Sequence, residues 1–437
     1  MSDLLFEIVA AIVKIAFLLA VVVGVFTPLL TLAERKISSW MQDRIGPNRA
    51  YIFKIKGKPF TLGGLFHTMA DAVKMFVKEY TVPAKADKFL FNLAPILGLV
   101  PALLVFAVIP FGPTIEIMGR QVPLQIANVN IGLLFVFALG SLGVYGAAIA
   151  GWASNNKLAL LGSLRASAQT ISYEVMFGLT LVGLMMTFGT VELNKIVEGQ
   201  KEFVFGFLPK WGIFLQPVGF ILFFTAAMAE NKRVPFDLPE GESEIIGYFV
   251  EYSSMGFGLF MTAEFIEMVV IAFLCTTLFF GGYLIPGLDG TVWTLPFSMG
   301  ELHLAQWFAV LLQFGAFIFK VLVLLFLQFV IRWALPRFRY DQLMRLGWKM
   351  MLPIALLNLL VTAILLMLDP SNQHNGMGEI THFSAQWLTC FGLFCIGVFI
   401  LSVFYKRAEP KSLHLGHDHG HDDATQHTAA PASLQSH

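Results

Sequence analysis

Long uninterrupted apolar runs dominate the chain. A helix that crosses the hydrocarbon needs about 20 mostly apolar residues. Nine stretches answer to that, at roughly 5–32, 92–112, 129–153, 159–189, 214–230, 250–283, 305–333, 349–368 and 385–405. None shows the every-second-residue alternation of a membrane barrel strand. The first does not read as a signal peptide, because Ser2-Asp3 precede it in place of a basic region, the run is too long and no cleavage pattern follows. No internal repeat is visible. The pattern predicts an all-α fold, a polytopic membrane helix bundle.

Residues 62–80 break this pattern. Leu62, Leu65, Phe66, Met69, Val73, Phe76, Val77 and Tyr80 recur every three or four positions, and His67, Asp71, Lys74 and Lys78 form the opposite stripe. Four ionisable groups on one face forbid a span, so this segment is expected to be an amphipathic helix in the headgroup plane. Composition agrees: of 437 residues 57% are hydrophobic and 13% charged, against about 25% charged in soluble domains. The formal net charge is zero, which gives no pull toward nucleic acid. Of the 29 Lys and Arg, 23 lie on the side of the first loop (34–90) and four on the other. By the positive-inside rule the N-terminus is outside and the C-terminal tail cytoplasmic. Cys275, Cys390 and Cys395 lie in apolar stretches and form no CxxC pair. That speaks against a disulfide framework, a structural zinc site and an iron–sulfur cluster.

Charge inside spans is costly and points to protein interior or water. Here it is frequent. Glu34 and Arg35 end span one, which also holds Lys14. Arg165 and Glu174 lie in span four, Glu230 closes span five, Glu251, Glu264 and Glu267 lie in span six, and Lys320 and Arg332 belong to span seven. Acids predominate within the spans of 159–283, where Arg165 is the one cation. A row of such carboxyls suits proton transfer through water. Glu264 and Glu267, three apart, share a helix face and are expected to titrate as a coupled pair. Between spans five and six, Glu230-Asn231-Lys232-Arg233-Val234-Pro235-Phe236-Asp237-Leu238-Pro239 leads into Glu240, Glu242 and Glu244. The prolines keep its first half non-helical. Phe236 among prolines and opposite charges predicts a fixed loop that grips a partner protein.

At this loop a resemblance becomes close. AENKRVPFDLPEGESEIIGYFVEYSS (229–254) is similar to the signature loop of the quinone-site membrane subunit family of respiratory complex I, the proton-pumping NADH:quinone oxidoreductase. ERKISSWMQDRIGPNR (34–49), ADAVKMFVKE (70–79), GWASNNK (151–157), RASAQTISYE (165–174), AEF (263–265) and RYDQLMRLGWKMMLP (339–353) follow that family's pattern in order. The resemblance runs from about residue 5 to 368. It implies eight conserved transmembrane helices, to which the ninth span is an addition. It also implies a role as a non-redox subunit of a respiratory-chain translocase in the bacterial inner membrane. Quinone would be the substrate, ubiquinone or menaquinone, with flavin and iron–sulfur clusters held by partner subunits. Those partners would be the peripheral-arm quinone-site subunits and small membrane-arm subunits. Carried over, Arg35, Arg44, Asp71, Lys74 and Arg233, with His67, would line a quinone tunnel. Glu34, Glu174, Glu230, Asp237, Glu240, Glu242, Glu244, Glu251, Glu264 and Glu267 would carry protons.

The chain departs from the family pattern in places. Ala50–Pro59 is longer and more basic than the usual short link, His67 stands where Gln is expected, and Glu267 where an uncharged polar residue is usual. The expected organisation is a membrane domain of that family's type (1–368), an additional helix (369–405) and a His-rich disordered tail (406–437), in which no resident metal is expected. Two other readings fit parts of the sequence: the membrane anchor of a related hydrogenase or dehydrogenase, and a stand-alone proton or cation transporter.

Overall fold

The computed structural model describes residues 3–368 except 52–53, 56–57, 118, 205–207, 240–246, 290–291 and 295–300, together with Trp387, Leu388 and Gly392. The chain divides into two units, Met1–Cys390 and Phe391–His437, and the helix bundle is the first. The predicted ninth span (385–405), the tail and the boundaries beyond 368 fall almost wholly outside the described residues.

Seven helices are long and apolar enough to cross a membrane, and a shorter apolar helix completes eight of the predicted spans. The protein is a multi-pass membrane helix bundle. α1 (Asp3–Val21) passes through a π-helical turn, Val22–Phe26, into α2 (Thr27–Met41). The amphipathic α3 (Leu65–Val77) follows. α4 (Lys88–Val105) starts where the Asp87 carboxylate accepts from the amides of Phe89 (3.0 Å) and Leu90 (3.2 Å), satisfying donors that have no partner in the first turn. α5 (Gly132–Ala153) and α6 (Lys157–Phe188) are joined by a short turn, and α6 ends at Gly189, whose φ of 65° suits glycine. Between α6 and the next span lie α7 (Leu193–Gly199) and α8 (Gly212–Leu215). α9 (Pro217–Glu230), α10 (Ser254–Phe279) and α11 (Gln306–Ala334) are spans five to seven. α12 (Tyr340–Arg345) continues through a π turn, Leu346–Met351, into α13 (Leu352–Leu368).

The connecting loops carry short antiparallel strands that the apolar pattern does not announce. They are β1–β2 (Lys54–Ile55, Lys58–Pro59), β3–β4 (Ile115–Ile117, Arg120–Val122), β5–β6 (Phe203–Val204, Leu208–Pro209) and β7–β9 (Leu288–Asp289, Val292–Thr294, Glu301–His303). In the α6–α7 connection Glu192 accepts from Lys195 (2.8 Å) and Asn128 (3.2 Å). These bonds, the lysine's first, hold its carboxyl below the usual range.

α9 is too short to cross alone. Its 14 residues rise about 21 Å, against a hydrocarbon thickness of about 30 Å. The gap is met by a break at Gln216, whose amide donates to the Gly183 carbonyl (2.8 Å), Thr187 (2.8 Å) and Thr362 (3.3 Å), tying the broken end to α6 and α13. The backbone at the break is itself satisfied, since the Gln216 N–H donates to the Gly212 carbonyl (2.8 Å) and the Gln216 carbonyl accepts from Phe220 (2.9 Å), as non-helical backbone buried within a bundle must be.

Close packing of α4 on α5 rests on a pair of glycines. A Cβ on Gly146 would lie 2.7 Å from the Gly98 nitrogen and 2.9 Å from its Cα, and backbone atoms cannot yield as a side chain can. Small residues bring membrane helices this close because lipid offers no hydrophobic drive to association. Gly146→Val is expected to destabilise the bundle by about 1–3 kcal/mol through overpacking, read as a lower melting temperature of the purified protein. Gly143→Ala, a position with nothing within 4 Å of the new methyl, should leave it unchanged. Equal melting of both variants would remove the glycine contact from the packing account.

Candidate functional site

Three charged groups follow one another through the bundle. The first is an internal cavity of about 80 Å³ among α4, α5, α6, α9 and α10, into which Glu174, Glu230 and Glu267 project beside Thr170, Asn231 and Lys232. That is room for several waters, each needing at least ~10–15 Å³. Glu174 accepts a short hydrogen bond from the Ser141 hydroxyl. With its amide oriented to satisfy both ends, Asn231 donates to Glu267 Oε2 (3.2 Å) and to the Glu264 carbonyl (3.2 Å).

Next is a chain of ion pairs. Arg233 Nη1 lies 2.8 Å from Glu34 Oε2, and its Nη2 lies 3.5 Å from Glu264 Oε2. Its guanidinium also sits 4.2 Å from the centre of the Phe265 ring. Arg332 Nη1 holds the other Glu34 oxygen at 3.0 Å. A planar, forked guanidinium can serve two carboxylates at once in a way an ammonium cannot.

The third group is a wider cavity of about 580 Å³ where the end of α2, the 44–49 loop and α3 meet. It is lined by Arg35, Arg44, Arg49 and His67 with Ser38 and Ser39. Its size falls in the ~300–1,000 Å³ range of small-molecule sites. Arg35 reaches Asp71 at 2.6 Å. The loop is seated by the Arg44 amide, which donates to the Ser39 carbonyl (2.9 Å). It packs so closely on Gly64 that a Cβ there would stand 2.6 Å from the Pro47 carbonyl oxygen, and φ at that glycine is 106°.

The sequence expectations meet this geometry unevenly. Glu264 and Glu267 take different ionic partners, though Asn231 touches both residues: Glu264 pairs with Arg233 from the loop, while Glu267 lines the cavity with Glu230. Glu251 lies before α10, where it accepts from Asn156 (2.6 Å), away from the cavity lining. Asp237 pairs with Arg337 (3.4 Å). Glu240, Glu242 and Glu244 fall outside the described residues. Lys74 is exposed and is not among the residues lining the wide cavity. α3 turns Met69, Val73, Phe76 and Val77 outward and buries Thr68. That leaves Asp71 on the side of α2, facing Arg35.

Phe236 does not reach for a partner. It is buried in the chain between Tyr173 (ring centres 6.2 Å) and Phe338 (5.6 Å). The loop around it is fixed from within, because the Gln169 amide donates to the carbonyls of Ala229 (2.8 Å) and Phe236 (2.7 Å). The sequence alone does not place Ser141, Arg49 or Arg332 in a site. Arg49 closes the conspicuous ERK…GPNR segment, and Arg332 is visible as an ionisable group in a span. Ser141 carries no such signal.

Known proteins resemble this chain over most of its length. The family described as NADH dehydrogenase matches residues 13–363. The NADH-quinone oxidoreductase H-type subunit 1 of Cytophaga hutchinsonii is 44% identical over 82% of this chain and 96% of its own. The H-type subunit 1 of Geobacter metallireducens is 44% identical over 84% and 100%, and the H-type subunit 2 of Geobacter sulfurreducens 46% over 81% and 95%. With the matched region spanning the helices of the bundle core, the chain belongs to the NADH dehydrogenase family, that of the H-type subunits of NADH-quinone oxidoreductases.

Proposed function

We propose that this chain is the membrane subunit through which quinone reaches the reducing site of an NADH:quinone oxidoreductase, and that it couples quinone chemistry to proton movement through buried carboxyls. The wide arginine cavity receives the quinone head. The Glu34–Arg233–Glu264 chain carries the electrostatic change, and the Glu174–Glu230–Glu267 cavity takes up and releases protons. One observation carries the reading: Glu34 and Arg35, adjacent in sequence, belong to two successive groups of this path, Arg35 in the wide cavity and Glu34 on Arg233. A charge appearing beside Arg35 in the cavity therefore acts on the Glu34–Arg233 pair through neighbouring residues of one helix. Electrons come from flavin and iron–sulfur clusters in partner subunits of the peripheral arm, and other small membrane subunits complete the arm. The N-terminus lies outside and the C-terminal tail in the cytoplasm of a bacterial inner membrane. Similarity to the H-type subunits across most of the chain supports this over a stand-alone transporter or a hydrogenase anchor.

Arg35→Ala and Arg44→Ala are expected to raise the apparent KM for quinone about tenfold each, the worth of one charge-assisted hydrogen bond. Reduction of an artificial acceptor at the flavin should be unchanged. Wild-type KM in both variants, in fully assembled complex, would remove the cavity from the quinone path.

A further inference from the structure

His67 is the residue of the wide cavity that the charge chain does not use. It sits in the first turn of α3, one turn before Asp71, so both side chains lie on one side of the helix. Its Nδ1 accepts a hydrogen bond from the backbone N–H of Ala50 at 3.3 Å. An imidazole nitrogen that accepts carries no proton, so the neutral ring must hold its hydrogen on Nε2. The backbone therefore selects the tautomer. What His67 then offers the cavity it lines is an N–H donor, among the cations Arg35, Arg44 and Arg49.

Ala50 also opens the segment Ala50–Pro59, within which Lys54 pairs with Pro59 and Ile55 with Lys58.

We infer that His67, locked as the Nε2–H tautomer by the Ala50 amide, is a positioning donor to a quinone carbonyl oxygen as the head passes the arginine cavity. This rests on the quinone reading of that cavity. A quinone ring carries two carbonyl acceptors and no donor, so it needs donors from its site. The guanidinium groups supply charge, and a neutral N–H supplies a contact that does not trap an anionic ring.

The test uses the intact complex with a short-chain quinone whose carbonyl carbons are isotopically labelled. His67→Leu is expected to raise KM about tenfold, the worth of one hydrogen bond to a buried acceptor, with kcat unchanged. It should also shift the labelled carbonyl band in infrared difference spectra toward that of the unbonded quinone. His67→Gln, whose amide can donate, should recover most of both. Ala50→Pro, which deletes the N–H, should raise KM in the same direction, and adding it to His67→Leu should do nothing further. Unchanged KM and carbonyl band in His67→Leu, while Arg35→Ala and Arg44→Ala do raise KM, overturn the role of His67 alone. Unchanged KM in all three overturns the quinone reading itself.

Discussion

Glu230→Gln and Glu267→Gln are each expected to lower proton-coupled quinone reduction about a hundredfold, the low end of what a lost proton-transferring group costs, while the complex still assembles. Both carboxyls line the cavity with room for several waters, as does Glu174, which accepts from Ser141. Glutamine keeps the volume and the hydrogen bonds but has no proton to release, so the path is cut without a void forming. Proton pumping in reconstituted vesicles should fall with turnover. Glu251→Gln is the comparison, since Glu251 is held by Asn156 outside the cavity lining, and its turnover should match wild type. Wild-type coupled turnover in both cavity variants would end the proton-path reading.

Arg233→Met is expected to be harsher and to act on assembly. Arg233 stands between Glu34 and Glu264 with 7% of its side chain exposed. Removing it leaves the buried Glu264 without this cation and Glu34 with Arg332 alone, and breaking a buried pair in this way costs about 3–5 kcal/mol. Whole-domain stability is only about 5–15 kcal/mol. Little assembled complex should survive on native gels. Arg233→Lys should assemble but turn over slowly, because one ammonium cannot hold both carboxylates in the geometry of the fork. Adding Glu264→Gln to Arg233→Met should recover part of the lost assembly, since the two losses share one contact. Wild-type levels of Arg233→Met complex would show that the ion-pair chain does not hold the bundle together.

The seven long described spans and the shorter α9 were legible because each is an unbroken apolar run, and that signal survives whatever the helices pack against. The amphipathic α3 was legible for the same reason, from its two stripes. What the sequence hid was which charge meets which. Read along the spans alone, the acids lack cations. Arg233 reaches Glu34 across 199 positions of chain and Glu264 from a loop, contacts that no local spacing encodes. The three-residue spacing of Glu264 and Glu267 puts them on one helix face, but it does not say that Glu264 takes Arg233 while Glu267 lines the cavity. Phe236 misled in the opposite sense. An aromatic between prolines has the composition of a docking loop, and only the positions of Tyr173 and Phe338 show that the ring is taken up by the chain itself.

The first helix has a reach beyond the protein. From Asp3 to Met41 the chain runs through α1, the π turn and α2 as one rod, and its helical residues would extend about 58 Å, nearly twice the hydrocarbon thickness. Such a rod meets a thinner or thicker bilayer by tilting, at a cost of fractions of a kcal/mol for each ångström of mismatch. α3 turns Val73, Phe76 and Val77 outward, the apolar face expected to lie along the lipid surface. Between the rod and α3 runs the Arg35–Asp71 contact. With the rod tilting to suit the bilayer and α3 expected at the lipid surface, that contact is expected to respond to acyl-chain length, a dependence that turnover in vesicles of differing chain length would read.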